Sequence, residues 1–150
     1  AKMSETGAII GGESSGGMAV RGHISGKDGI YAAALLVEML AVTGKSVSEL
    51  FAEITAQYGN PCWAEADFRM TPERKAELQK LLFTEKRVPE FGTAVDHISL
   101  EDGCKVYFKD GSWVICRFSG TEPLLRMAAE ADEQAVADGY IKAFRDMLEL

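Results

Sequence analysis

Two Asp-Gly pairs, Asp102-Gly103 and Asp110-Gly111, separate runs in which apolar and polar residues alternate, and they commit the second half of this chain to an antiparallel sheet. Asp-Gly is a strong hairpin signal because tight turns need residues that accept positive φ. The strands it predicts lie near Val95 to Leu100, Cys104 to Lys109 and Ser112 to Phe118, and a further strand runs from Leu124 to Glu130. If Asp110-Gly111 is a two-residue turn, Lys109 faces Ser112 and the continued register sets Cys104 opposite Arg117. Trp63 to Met70 reads as an entering strand, with Trp63 and Trp113 expected to serve the core. Thr71-Pro72-Glu73 reads as a helix start with a hydroxyl cap and proline at the first position, and Leu78, Leu81 and Leu82 supply its apolar stripe. Asp132 is expected to cap a last helix in which Val136, Tyr140, Phe144 and Met147 recur at helical spacing.

Gly59-Asn60-Pro61 is the best boundary, because glycine closes a helix and proline prevents its continuation. Residues 1–60 then form a partial α/β domain of one strand and two helices. Residues 61–150 form an α+β domain, an antiparallel sheet packed on helices. In the first part Gly7 to Gly12 reads as a short buried strand, left without sheet partners from its own domain. Ile30 to Ala41 reads as an apolar helix capped by Asp28, and Ser46-Val47-Ser48-Glu49 as a capping box for a helix carrying Leu50, Phe51, Ile54 and Tyr58 inward.

The five residues between the last two strands sit in Arg117-Phe118-Ser119-Gly120-Thr121-Glu122-Pro123, with Arg126 following. This pattern suits an anion. Gly120 lets oxyanions approach backbone N–H groups, Ser119 and Thr121 add hydroxyl donors, and two guanidinium forks keep their charge at any working pH. Pro123 stiffens the exit and biases Glu122 toward extended backbone. The competing reading is an ordinary loop in which Glu122 pairs with an arginine and the hydroxyls make local turns.

A second constellation lies near the N-terminus. Gly12-Glu13-Ser14-Ser15-Gly16 ends the predicted strand with a carboxylate and a hydroxyl, Glu13 and Ser15, able to face one ligand and suited to sugar hydroxyls. Lys27, in Lys27-Asp28-Gly29, precedes a helix where the dipole already favours anions, so it is available to an anionic ligand. Read conservatively, Glu13 is a solvated loop acid and Lys27 a surface charge. His23 is a candidate proton shuttle, since an imidazole can both give and take a proton, although a lone histidine in this setting is more often a packing residue. His97 has no evident companion and is assigned no role.

With both segments in view, the chain resembles the C-terminal part of the α-D-phosphohexomutases, the phosphoglucomutase and phosphomannomutase family. The family's sugar-binding loop, Gly-Glu-x-Ser-Gly, is similar to Gly12 through Gly16, and its Lys-Asp-Gly step to Lys27-Asp28-Gly29. Its phosphate loop, Arg-x-Ser-Gly-Thr-x-Pro with a further arginine, is similar to Arg117, Ser119, Gly120, Thr121, Pro123 and Arg126. The resemblance implies that residues 1–60 are the last part of a sugar-binding third domain and residues 61–150 a complete phosphate-binding fourth domain.

It also implies an isomerase parent that moves a phosphoryl group between the C1 and C6 oxygens of a hexose, through a phosphoserine and a hexose 1,6-bisphosphate. Arg117, Ser119, Gly120, Thr121 and Arg126 would hold the phosphate that is not reacting, Glu13 and Ser15 the ring hydroxyls, and Lys27 a phosphate or nearby sugar oxygen. The family's Ser-His-Asn-Pro segment and its Asp-x-Asp-x-Asp magnesium loop do not occur in the sequence. The resemblance thus places the phosphoserine and Mg2+ in the missing N-terminal domains of the parent, and the fragment alone is expected to be inactive. A stand-alone, non-enzymatic sugar-phosphate-binding or regulatory module is the alternative. Gly17 stands where the family's glucosamine mutases commonly carry histidine, which weighs toward neutral sugars. Nothing in the sequence decides glucose against mannose, or the oligomeric state.

Composition agrees with a soluble globular protein without indicating which one, and hexose phosphates as partners are what the resemblance implies. Across 150 residues the net charge is −7, which argues against a nucleic-acid partner and makes Arg117 with Arg126 a local exception. Cys62, Cys104 and Cys116 have neither CxxC nor zinc spacing and read as reduced thiols. The acidic stretch from Glu130 to Glu133 reads as helix capping and solvation. The apolar segment from Ile30 is too short to span a bilayer and no signal peptide is visible, so no membrane association and a cytoplasmic location are expected. A chain opening on Ala1 almost inside a strand is expected of a piece excised from a longer protein.

Overall fold

The computed structural model describes residues 2–13, 16–24 and 26–150, and the chain divides into two units, Ala1–Tyr58 and Gly59–Leu150.

The first unit comprises α1 (Lys2–Thr6), β1 (Ile10–Gly12), β2 (Met18–Val20), α2 (Gly29–Thr43) and α3 (Val47–Tyr58). Asp28 caps α2 as expected, its Oδ1 accepting the Ile30 and Tyr31 N–H groups at 3.0 Å each. Left-handed Gly44 closes the helix with its N–H on the Leu40 carbonyl. The capping box at α3 also forms: Ser46 Oγ accepts the Glu49 N–H at 3.3 Å, and Glu49 Oε2 accepts the Ser46 N–H at 2.7 Å.

Beside the expected strand and two helices there is a second strand. β1 and β2 pair antiparallel with Ile10 opposite Val20, so the N-terminal strand does have a partner in its own unit. Its expected burial is not found, because Ile9 and Ile10 are exposed, and the expected inward stripe of α3 is not found either, because Phe51, Ile54 and Tyr58 are exposed. A hairpin of two three-residue strands is too small to cover them. Among the described residues no single helix is long and apolar enough to cross a membrane; α2 and α3 qualify only as a pair, bent by 85° at their break.

The second unit carries β3 (Cys62–Arg69), α4 (Pro72–Gln79) continuing into a π-helical turn (Lys80–Thr84), β4 (Val95–Ser99), β5 (Cys104–Phe108), β6 (Trp113–Phe118), β7 (Leu124–Ala131) and α5 (Gln134–Leu148). The five strands form one antiparallel sheet in the order β3-β7-β6-β5-β4. Alternation sorts its faces. Ala64, Val106, Val114, Cys116, Met127 and Ala129 turn inward and join a core with Tyr140, Ile141 and Phe144 of α5 and with Leu78 and Leu82 of the α4 segment. The α5 stripe is as expected, but its N-cap is Glu133 rather than Asp132, and no side-chain bond closes it. Thr71 does cap α4, its Oγ1 accepting the Arg74 N–H at 3.3 Å.

Two sequence expectations fail in this sheet. The β5–β6 register is shifted by one residue, so that Cys104 faces Cys116 rather than Arg117. The connecting loop holds three residues: Phe108 N–H bonds the Ser112 carbonyl at 2.9 Å, and Gly111 takes the left-handed position at φ 91. The shift keeps Cys104, Val106 and Phe108 in the core, where a two-residue turn would have turned them outward. Trp63 and Trp113 lie on the outer face, in the same row as Glu130, because Ala64 and Val114 take the inward positions. Their rings meet edge to face at 5.6 Å, and Lys105 Nζ sits 3.8 Å from the Trp113 ring centre.

Candidate functional site

In the second unit the β6–β7 connection spans Ser119 to Pro123, as the alternation required. Arg117 and Arg126 are directly opposite each other on β6 and β7, which puts both guanidinium groups on the same, outer face of the sheet. Both are exposed. Arg117 Nε lies 3.3 Å from Asp102 Oδ1, whereas Arg126 makes no ion pair among the described residues.

The bend between them is ordered from within. Ser119 N–H bonds the Leu124 carbonyl at 2.8 Å, and Ser119 Oγ accepts the N–H groups of Thr121 at 3.4 Å and Glu122 at 3.2 Å. The hydroxyls therefore do make local turns, as the conservative reading held, but Glu122 forms no ion pair with either arginine. Gly120 is exposed, and its N–H makes no hydrogen bond among the described residues. The strand pair thus carries two like-charged forks, and the bend that joins the two strands an exposed donor and two hydroxyls, which is chemistry suited to a phosphoryl group.

Two contacts from outside the loop were not anticipated. Met70 N–H bonds the Pro123 carbonyl at 3.0 Å, and Lys75 Nζ, from α4, donates to the carbonyls of Ser119 at 2.7 Å and Glu122 at 3.2 Å. Lysines on a polar helix ordinarily read as solvated. Only the pairing of Arg69 with Leu124, which brings the start of α4 beneath the loop, reveals this one. Gly103 is a further requirement: at φ +107, a Cβ there would stand 2.6 Å from the Cys116 carbonyl and 3.3 Å from the Arg117 Cα. Only glycine lets this turn pass so close to the strand that carries Arg117.

The first unit holds a separate cleft of about 640 Å³, whose lining includes Gly12, Glu13, Gly17, Arg21, His23 and Lys27. Lys27 Nζ donates to Glu13 Oε2 at 2.5 Å, so two candidate residues are held together. The Lys27 stem crosses over Gly17, where an added Cβ would fall 2.7 Å from it. Ser15 lies outside the described residues. His23 Nε2 is 2.9 Å from Asp28 Oδ2, and its ring stacks on Tyr31 with centroids 4.0 Å apart. The Tyr31 N–H, followed by His23, holds the Asp28 carboxyl below the usual carboxylate range. One carboxylate therefore both caps α2 and orients the imidazole. Arg21, also unanticipated, donates from Nη1 to the Gly7 carbonyl at 2.8 Å.

Comparison with known proteins adds an independent line. Residues 1–58 match the family model for phosphoglucomutase/phosphomannomutase alpha/beta/alpha domain III, and residues 66–147 match the model for the phosphoglucomutase/phosphomannomutase C-terminal domain. A phosphoglucomutase/phosphomannomutase of Thermococcus kodakarensis is 34% identical over 149 residues, covering 98% of this chain and 30% of that protein. A probable phosphoglucosamine mutase of Methanopyrus kandleri is 34% identical over 148 residues, covering 99% of the chain and 30% of that protein. Among solved structures, a putative phosphomannomutase from Thermus thermophilus aligns with a TM-score of 0.67 at 25% identity, covering 99% of this chain and 28% of the other. The chain spans about 30% of the length of the curated relatives it matches.

Proposed function

The chain belongs to the phosphoglucomutase/phosphomannomutase family, and from that premise we propose that it is the sugar-phosphate-binding C-terminal portion of a phosphohexomutase that interconverts hexose 1-phosphates and hexose 6-phosphates. The observation that carries this reading is the direct opposition of Arg117 and Arg126 beside a bend whose Gly120 N–H is unclaimed among the described residues.

In this mechanism the chain binds and orients rather than reacts. The arginines and the Ser119–Gly120–Thr121 bend hold the phosphate that is not reacting and neutralise its charge, so the other end of the sugar is presented for phosphoryl transfer. Glu13 accepts from ring hydroxyls near the middle of the sugar, where one group serves both orientations of a bisphosphorylated intermediate. Lys27, now paired with Glu13, exchanges that contact for an oxygen of the substrate. His23, hydrogen-bonded to Asp28, remains only a candidate for carrying a proton, and no step is assigned to it. The family's Ser-His-Asn-Pro and Asp-x-Asp-x-Asp motifs do not occur in this sequence, so we assign the Mg2+ and the phosphoserine to the remainder of the parent and derive no step through either. The relatives' names include glucose, mannose and glucosamine phosphates, so the class proposed is hexose phosphates. The compartment we assign is the cytoplasm, in keeping with three free cysteines.

The test is turnover by the intact parent protein on glucose 1-phosphate and mannose 1-phosphate. Arg126→Met is expected to lower kcat/KM by about 10- to 100-fold, the value of charge-assisted hydrogen bonds to one phosphate. Full activity in that variant would remove the assignment.

A further inference from the structure

We propose that Lys75 is a positioning residue of the phosphate loop, holding its backbone so that the Gly120 N–H faces outward to an incoming phosphate. This rests on the reading of the loop as a phosphate site and concerns how it is kept ready. Lys75 Nζ donates to the Ser119 carbonyl at 2.7 Å and to the Glu122 carbonyl at 3.2 Å, from a partly buried position on α4. The Ser119 carbonyl and the Gly120 N–H belong to one peptide group, which is planar and trans, so they point in opposite directions. An ammonium that draws the carbonyl toward α4 therefore turns the Gly120 N–H away from α4.

The second contact fixes the other end. Glu122 O accepts from Lys75 and also from the Leu124 N–H at 2.9 Å, while Met70 N–H holds the Pro123 carbonyl at 3.0 Å. Carbonyl oxygens of an anion loop would repel phosphate if they swung outward, and the lysine keeps two of them directed at a cation. Two of its three donors are thereby spent on the protein, which makes it a support of the site and not a direct ligand. Its charge remains behind the loop and adds to the field of Arg117 and Arg126.

The experiment measures affinity for inorganic phosphate and glucose 6-phosphate in the full chain by NMR, following the Gly120 and Thr121 amides, with thermal unfolding as the folding control. Lys75→Met is expected to weaken phosphate about tenfold and to shift the unliganded Gly120 amide, and Lys75→Arg to recover most of both. Unchanged affinity and an unchanged Gly120 signal in Lys75→Met, with binding lost in Arg126→Met, would overturn the proposal while leaving the phosphate site standing. Unchanged binding in both variants, or no binding by the unsubstituted chain, would remove the phosphate site and this proposal with it. If Lys75→Met does not fold, the Lys75 ammonium resonances of the unsubstituted chain decide: an ammonium held on the loop carbonyls with and without phosphate supports the role, and one freely exchanging in the unliganded chain, or transferred to the phosphate, overturns it.

Discussion

Arg117 and Arg126 are paired residue to residue across the β6–β7 ladder, with Asp67 next along the same row on β3. Like charges placed directly opposite one another destabilise a sheet by a few tenths to about 1 kcal/mol. Asp67 across from Arg126 and Asp102 beside Arg117 offset part of this cost to the empty fold, and a bound dianion would remove the rest. Arg126→Met is expected to leave the unfolding free energy unchanged or raise it by up to about 1 kcal/mol while phosphate affinity falls. Denaturant melts beside phosphate titrations check this, and a variant that loses stability and keeps affinity would contradict it.

Asp102 competes for one of the two forks. Its Oδ1 is 3.3 Å from Arg117 Nε and both side chains are largely exposed, so the pair is worth at most about 1 kcal/mol. Asp102→Asn is expected to tighten phosphate binding by up to about fivefold, with the gain shrinking as salt is added. Calorimetric titration at two ionic strengths measures it.

The facing thiols make a pH prediction. Burial pushes Cys104 from its ordinary 9.0 up to about 11, and raises Cys116 as well, with Cys104 adding to the effect. A raised folded value means that the folded state keeps its proton where the unfolded chain has lost it. The stabilisation is complete below about pH 9 and is lost as pH rises toward 11. Unfolding midpoints should fall across that window. Alkylation at neutral pH should reach partly exposed Cys62 first, with Cys104 and Cys116 reacting only on unfolding. Labelling followed by mass spectrometry checks the order.

Gly103→Ala is expected to destabilise the second unit by about 1–3 kcal/mol, because φ +107 strains any side chain and the Cβ would meet the Cys116 carbonyl at 2.6 Å. The displacement also moves Arg117, so phosphate affinity should fall with it. Denaturant melts and a phosphate titration on the same variant measure both.

Much of this architecture is legible in the sequence, where the determinants are local. Asp28, Ser46 with Glu49, and Thr71 announce their helices because a cap is satisfied within three residues. The two Asp-Gly turns announce the meander, and the alternation of β6 and β7 puts both arginines on one face. The register of β5 is not legible, since a three-residue loop with left-handed Gly111 and a two-residue turn read alike until Phe108 is seen to bond Ser112. β2 is missed because Met18–Val20 is too short and too close to glycine to carry a pattern. Trp63 and Trp113 are misplaced because aromatic content does not reveal which face of a sheet a residue takes. Lys75 is invisible for a different reason: its partners lie 44 and 47 residues away, and only tertiary structure brings them together.

The most direct test of one phosphoryl pocket formed by Arg117, Arg126 and the bend between them is an amide-resolved NMR titration of the chain with glucose 1-phosphate, using glucose alone as the control. The account predicts that the Gly120 and Thr121 amides and the arginine side-chain signals move together with the phosphate ester, stay still with glucose, and cease to respond in Arg117→Met and Arg126→Met. Amides that stay still at millimolar ester, or that move equally with glucose, would contradict it.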